Sequence, residues 1–256
     1  MKTISTNRGL EILLAFLKAI LLYLQAKYQY SRKVLPNINI KVNPYTHLKD
    51  PNSSELGKNI VANSIEMIDE LGFEDFNFRK LSKEIGSSEA SVYRYFESKH
   101  KLLLYLTGWY WGWMEYKLLL KLTNIDSPEE RLIRAITLLT EIAKEDSEFL
   151  HISEQRLQRI VIAESSKAYL NKDVDSENKF GVFSDYKRLV GRVSDIILEI
   201  NSSYRYPHML ISTVIEGSHL QRHFAAHLPR LTDVDKEEDL IVPFYIELVK
   251  KSLNIK

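Results

Sequence analysis

The sequence predicts an all-α protein, and three observations carry that expectation. Apolar residues recur at three- and four-residue spacing over most of the 256 residues. No run alternates apolar and polar residues for long, as a half-buried strand would. Punctuation is sparse, since nine Gly and seven Pro leave little room for long disordered linkers. The balance of 45% hydrophobic and 27% charged residues is that of an ordinary globular chain.

Composition also removes several function classes. With no cysteine, a disulfide framework, a thiol nucleophile and any thiolate-held zinc or iron–sulfur site are excluded. The absence fits a cytoplasmic protein. The longest apolar stretch, Ile12 to Leu24, is interrupted by Lys18 and is shorter than the roughly 20 residues a membrane span needs. Lys18 and the lack of a small-residue cleavage site also argue against a secretory signal. The formal net charge of +1 does not by itself announce a nucleic-acid partner.

In chain order, the first helix is expected at about Gly9–Tyr30. Its polar residues Glu11, Lys18 and Gln25, with Arg32 beyond, are seven apart and form one narrow stripe. Such a helix must bury nearly all of its surface. Residues 31–56 read as an irregular linker or extended arm, because Pro36, Pro44 and Pro51 fall there among Asn37, Asn39, Asn43 and Asn52. Helical patterning returns at about Leu56 and continues to the end. Its breaks are at Gly72, Gly86, Asp126–Pro128, Asn171–Asp175, Tyr206–Pro207 and Pro229–Asp235. Ser127-Pro128-Glu129-Glu130 combines Pro at a first helical position with the spacing of a capping box.

The stretch Gly57–Leu102 is the most informative. Ile60, Ala62, Ile65 and Ile68 give one helix an inner face, and Gly72 is placed to end it in a left-handed cap. Asn77 can cap a second helix with Leu81 and Ile85 inward. Gly86 supplies a tight turn, and Ser88 can cap a third helix that carries Val92 inward and Tyr93, Arg94 and Tyr95 outward. Phe96 closes the small core. Two short helices joined by a Gly turn, the second presenting polar groups, form the helix-turn-helix pattern.

These residues carry a family resemblance. Gly72-Phe73, then Phe78-Arg79-Lys80-Leu81-Ser82-Lys83-Glu84-Ile85-Gly86, then Ser88 through Leu102 with Val92-Tyr93-Arg94-Tyr95-Phe96 and Ser98-Lys99 at its centre, resemble the tetracycline-repressor-like (TetR/AcrR) family in unbroken register. The resemblance implies an all-helical protein with a three-helix DNA-binding head at residues 57–102. A larger body at residues 103–256 would bind an effector and dimerise through its last helices, and residues 1–56 would be an amino-terminal extension. Carried over by position, Glu89, Ala90 and Arg94 face base edges, while Ser91, Tyr93, Tyr95 and Lys99 approach phosphates. Asn77, Arg79 and Ser88 complete the DNA-binding set. The chemistry agrees, because Arg pairs bidentately with guanine whereas Ser, Tyr and Lys contacts to phosphate fix register. This chain departs from the family pattern at three places. Asn77 stands for Ser or Thr, Ser82 for Ala, and Glu89-Ala90 for Lys-Gly or Gln-Pro. Glu89 is either a reader of cytosine N4 or a favourable first-turn acid.

Charge is distributed unevenly. Residues 57–102 hold seven Lys/Arg and eight Asp/Glu, a deficit for a phosphate-binding head, whereas residues 1–56 hold eight Lys/Arg and three Asp/Glu. The extension either adds the missing positive charge or packs on the body with its charges merely solvated.

In the body, Tyr105, Trp109, Trp113 and Tyr116 form an aromatic stretch that is either core or the wall of an effector site. Gly108 and Gly112 within it allow a close crossing or a bend. His219, His223 and His227, at four-residue spacing after Glu216, suit a polar or pH-sensitive seam better than a metal site. No cofactor and no catalytic residue is expected. The expectation is therefore a ligand-responsive, sequence-specific transcription regulator. It would be a repressor that binds a palindromic double-stranded DNA operator as a homodimer, answers to a small-molecule effector and has no membrane span. The alternatives are a helical enzyme, which lacks any GxSxG, P-loop, dinucleotide or HExxH motif here, and a membrane-surface sensor. The narrow polar stripe of the first helix argues against the latter.

Overall fold

The computed structural model describes residues 40–144, 152–234 and 238–255. The helix expected at about Gly9–Tyr30 lies outside the described residues. Ten α-helices and three 3-10 turns follow one another among the described residues, and no strand occurs there.

The first three helices are set by local chemistry. Helix α1, Glu55–Asp75, starts where the Ser54 hydroxyl accepts from the Gly57 N–H, and it buries Ile60, Val61, Ser64, Ile65 and Ile68. Ala62, expected inward, is only half-buried. Gly72 takes φ 78° with ψ 159°, so it kinks the chain in an extended conformation instead of capping it in the left-handed one, and one further turn runs to Asp75. Only glycine adopts that backbone without strain. Helix α2, Phe78–Glu84, is capped by Asn77, whose side chain accepts from the Lys80 N–H. Gly86, at φ 61°, makes the turn. Helix α3, Glu89–Tyr93, is capped by Ser88 through the Ser91 N–H. Beneath them Phe76, Phe78, Leu81, Val92, Phe96 and Leu102 are buried together.

Helix α4, Lys99–Leu122, runs on from these three helices into the centre of the remaining bundle. It is buried almost all round from Leu102 to Trp111, which a helix achieves only when neighbours cover every side. Those neighbours are α5 (Pro128–Thr140), α6 (Glu154–Tyr169) and α8 (Ser184–Ile200). Short α7, Val174–Lys179, links α6 to α8, while α9 (Pro207–His227) and α10 (Ile241–Leu253) close the bundle against α5 and α8. The capping sequence at α5 works by half. Ser127 accepts from the Glu130 N–H, but the Glu130 carboxylate turns to Arg134. Burial raises the Glu115 carboxyl on α4. Hydrogen bonds and charge from Arg188 and Arg192 on α8 outweigh that and leave it below the usual range, so an ion cluster ties the two helices.

The expected irregular arm is ordered over residues 40–54. Asn43 and Asp50 cap the 3-10 turns Pro44–Thr46 and Pro51–Ser53, whose prolines sit at the first position. The arm lies along α4, and its docking explains both helix glycines. A methyl group on Gly108 would stand 3.1 Å from Val42 Cγ1, and one on Gly112 would stand 2.8 Å from Ile40 Cγ2. These glycines are therefore close-packing sites. Asn43 donates to the Phe180 carbonyl and Tyr45 stacks on Phe180 at 4.2 Å, which fixes the arm to the loop after α7.

Candidate nucleic-acid interface

The turn between α2 and α3 presents one polar surface. Asn77, Arg79, Ser88, Glu89, Ala90, Tyr93 and Arg94 are exposed, and Ser91 is half-buried. The caps hold this surface in shape. The Ser88 and Ser91 hydroxyls lie 2.8 Å apart, and Arg94 Nη2 donates to Ser91 Oγ at 3.3 Å, leaving the rest of its guanidinium fork unused by these contacts. Tyr93 is 46% exposed, with its ring on Phe78 in an edge-to-face contact of 5.1 Å. Its hydroxyl has the apolar support that a phosphate-contacting phenol needs.

Two of the expected phosphate contacts are engaged within the chain. The Lys99 ammonium donates to the carbonyls of Phe73 (3.0 Å) and Glu74 (3.2 Å), closing the end of α1, with one N–H left over. Tyr95 does not join the exposed set and corrects the expectation. It is 3% exposed, its hydroxyl is 2.7 Å from Ser54 Oγ, and Lys49 Nζ donates to it at 3.2 Å. Its carbonyl accepts from the Leu48 N–H at 2.8 Å. The arm therefore clamps the residue that follows the third helix. Sequence patterning missed this clamp. Its only local trace is the pair of Asn-Pro and Asp-Pro turns, which signals irregularity without naming a partner.

The charge deficit of residues 57–102 is resolved across the interface with α6. Arg159 grips Asp69 at 2.6 and 2.7 Å, Arg156 reaches Asp69 and Glu70 at 3.2 and 3.1 Å, and Lys167 pairs with Glu74 at 2.7 Å. Three of the eight acids thus face body cations, which leaves the helix-turn-helix surface with a positive balance. The same bonds fasten α1 to the body.

The aromatic stretch of α4 is mostly core. Tyr105, Trp109 and Trp113 are buried and Tyr116 is half-buried. Tyr105 packs edge-on to His47 and Phe96, and Trp109 and Trp113 are stacked. None of the four lines the cleft that opens against α6. That cleft, of about 450 Å³, lies between α1, α6 and the end of α9. Ile68, Ile142, Ile160, Ile162 and Ala226 give it an apolar lining, and Gln158, Arg222, His223 and His227 add polar groups. The histidines of α9 divide. His223 and His227 face the cleft with rings 4.6 Å apart, whereas His219 is buried beside Trp111. Burial first, then the Arg222 charge, pushes His219 down to about 4. Glu216 accepts from Tyr169 and Tyr186, both at 2.8 Å. Among the described residues no group of three or more His, Asp or Glu is placed to hold a metal, and no helix is long and apolar enough to cross a membrane.

A search of curated proteins by sequence gives no match. Among solved structures the fold is similar to that of the fatty acid degradation regulator FadR from Bacillus halodurans. The TM-score is 0.53 at 16% identity, over 77% of this chain and 96% of that one. It is similar to the superantigen PfiT, with a TM-score of 0.50 at 13% identity over 80% and 97%. It is also similar to AibR in complex with isovaleryl coenzyme A and operator DNA, with a TM-score of 0.50 at 13% identity over 76% and 97%. At such identities the likeness is one of fold, and proteins of different activity share it. The sequence match is narrower and more telling: residues 60–106, from the first helix into α4, fit the family model of bacterial regulatory proteins, tetR family. Over that segment, whose exposed third helix and buried core are described above, the chain is similar to the bacterial regulatory proteins of the tetR family.

Proposed function

We propose that this protein is a ligand-responsive, sequence-specific transcription regulator that represses from a palindromic operator as a homodimer. The observation that carries it is the exposed set Glu89, Ala90, Tyr93 and Arg94 on a third helix whose other side, Val92, is fully buried. A rigid helix with small and polar groups outward can enter a major groove, and Arg94 can donate to guanine O6 and N7.

The exposed apolar surface of the last two long helices supports the dimer. Leu220 is 53% and Phe244 54% exposed, with Met209 along the same helix as Leu220. Val214 and Leu253 of these helices are buried within the chain, so the exposed face is drawn by Met209, Leu220, Phe224 and Phe244. For the effector, the cleft between α1, α6 and α9 is the better site than the packed aromatics of α4. It touches both the DNA-binding head, through Ile68 and Asp69, and the body. A ligand seated there with different affinity for two head positions would couple to DNA binding. AibR, bound to both a coenzyme A thioester and operator DNA, illustrates that this fold has room for two such partners.

The test is selection of bound sequences from random duplex DNA with the wild type and with Arg94→Ala. The wild type should enrich an inverted repeat. Arg94→Ala should flatten the preference at one base pair in each half-site, by about 1–3 kcal/mol of discrimination. Enrichment of no sequence by the wild type, or an unchanged motif with Arg94→Ala, refutes the proposal or its base reader respectively.

A further inference from the structure

We propose that Lys49, on the arm that precedes the first helix, is a DNA-phosphate contact that stands in for the inward-turned hydroxyl of Tyr95. The inference rests on the DNA-binding reading above. It extends the contact surface outside residues 60–106, the segment matched by the family model.

Three observations converge on Lys49. The first is position. The Leu48 N–H to Tyr95 carbonyl bond, 2.8 Å long, fixes the arm backbone against the end of the third helix, one residue from Lys49 and one from Arg94. The second is donor capacity. The Lys49 ammonium uses one N–H on the Tyr95 hydroxyl at 3.2 Å and lies 5.0 Å from the centre of that ring. Among the described residues no ion pair joins it to a carboxylate. An ammonium has three donors, so two remain. The third is replacement. Tyr95 has its hydroxyl between Ser54 and Lys49, so a phosphate approaching the end of the third helix meets the exposed Lys49 and not the phenol. The Arg94 charge acts on the same hydroxyl, along with Lys49, in lowering the Tyr95 phenol, after the larger effect of its Ser54 hydrogen bond. Lys49 is thus held against the residue that follows Arg94 in the chain, the one suited to the phosphate backbone and the other to a base edge.

The arm is built to hold that position. Prolines open both of its 3-10 turns, Asn43 and Asp50 cap them, and Thr46 and Pro51 are buried. A lysine on such a segment loses little additional backbone freedom on binding. Leu48, 66% exposed beside it, is an apolar group at the same edge.

The experiment measures affinity of the full chain for a fluorescent duplex of selected sequence and for a random-sequence duplex, over a series of KCl concentrations. The proteins are wild type, Lys49→Met, Lys49→Arg and Lys41→Met. Lys49→Met keeps the stem that packs on Tyr95 and removes the charge. The expected result is a salt slope shallower by about 0.9 per subunit and a loss of about five- to tenfold near physiological salt, equal for both duplexes. Lys49→Arg should keep the wild-type slope, and so should Lys41→Met, a charge elsewhere on the arm. If the wild type binds with a steep slope and Lys49→Met leaves that slope unchanged, Lys49 touches no phosphate and this inference alone is overturned. If the wild type binds neither duplex, the regulator reading falls first and takes this inference with it. A melting curve on Lys49→Met separates loss of fold from loss of contact, since an unfolded fraction lowers the active concentration without changing the slope.

Discussion

Replacing Gly112 by alanine is expected to destabilise the protein, although the same change at an open helix position would stabilise it. Alanine is favoured over glycine in a helix interior by about 1 kcal/mol. Against this, the new methyl carbon would lie 2.8 Å from Ile40 Cγ2, closer than a carbon–carbon contact permits, and Ile40 is itself buried at the start of the arm. Overpacking of this kind costs about 1–3 kcal/mol. The net expectation is a loss of about 0–2 kcal/mol, or a melting temperature lower by a few degrees for a chain of this size. Gly108→Ala meets Val42 Cγ1 at 3.1 Å, a contact that a few tenths of an ångström relieve, so it should be close to neutral. Urea denaturation of Gly112→Ala, Ile40→Ala and the double variant gives the deciding number. The two changes should be coupled favourably by about 1–2 kcal/mol, because removing Ile40 Cγ2 removes the clash. A Gly112→Ala protein more stable than wild type would refute the reasoning and return these glycines to the role of a bend.

Three further expectations follow from the same geometry. Asp69→Asn should cost about 1–2 kcal/mol, because it breaks the bidentate Arg159 pair and the Arg156 bond that hold α1 to α6. That cost should shrink between about 0.05 M and about 1 M KCl, and a salt-independent loss would point to packing instead. His219 is neutral in the fold with its value lowered to about 4, so the unfolded chain takes up a proton that the folded chain refuses as pH falls from about 6.5. Its contribution is intact above pH 6.5 and is lost progressively toward pH 4, by about 3 kcal/mol. His219→Phe should show a correspondingly flatter decline in urea stability over that window, and equal slopes in both proteins would be the contrary result. Leu220→Glu and Phe244→Glu each place a charge on an exposed apolar residue and should yield monomers with impaired operator binding. Sedimentation showing intact dimers in both would move the interface elsewhere.

What was legible in the sequence was whatever a residue decides with neighbours three or four positions away. Asn77, Ser88 and Ser127 were expected to open helices and each accepts a backbone N–H three residues on. Gly86 was expected to turn and has positive φ. Leu81, Val92 and Phe96 were expected inward and are fully buried. The exposure of Asn77, Arg79, Ser88, Glu89, Ala90, Tyr93 and Arg94 was legible for the same reason, since they lie within two short helices and the turn between them. Gly72 marks the limit even of this local reasoning. Its positive φ was foreseen, but its extended ψ was set by the chain that follows it.

The sequence by itself therefore determined the all-helical class, the helix-turn-helix and its caps, because helical period and capping are local properties of the chain. Tertiary structure decided what those elements meet. Tyr95 reads as an outward residue of a recognition segment until Ser54 and Lys49, some forty residues earlier, take its hydroxyl. The acids of α1 read as a deficit of positive charge until Arg156, Arg159 and Lys167, about ninety residues later, neutralise them. The tryptophans of α4 read as core more readily than as cavity wall, and three surrounding helices decide it by filling the space around them. In each case the deciding partner is distant in sequence. Its identity follows from long-range packing and charge pairing in three dimensions, and no spacing pattern within either segment encodes it.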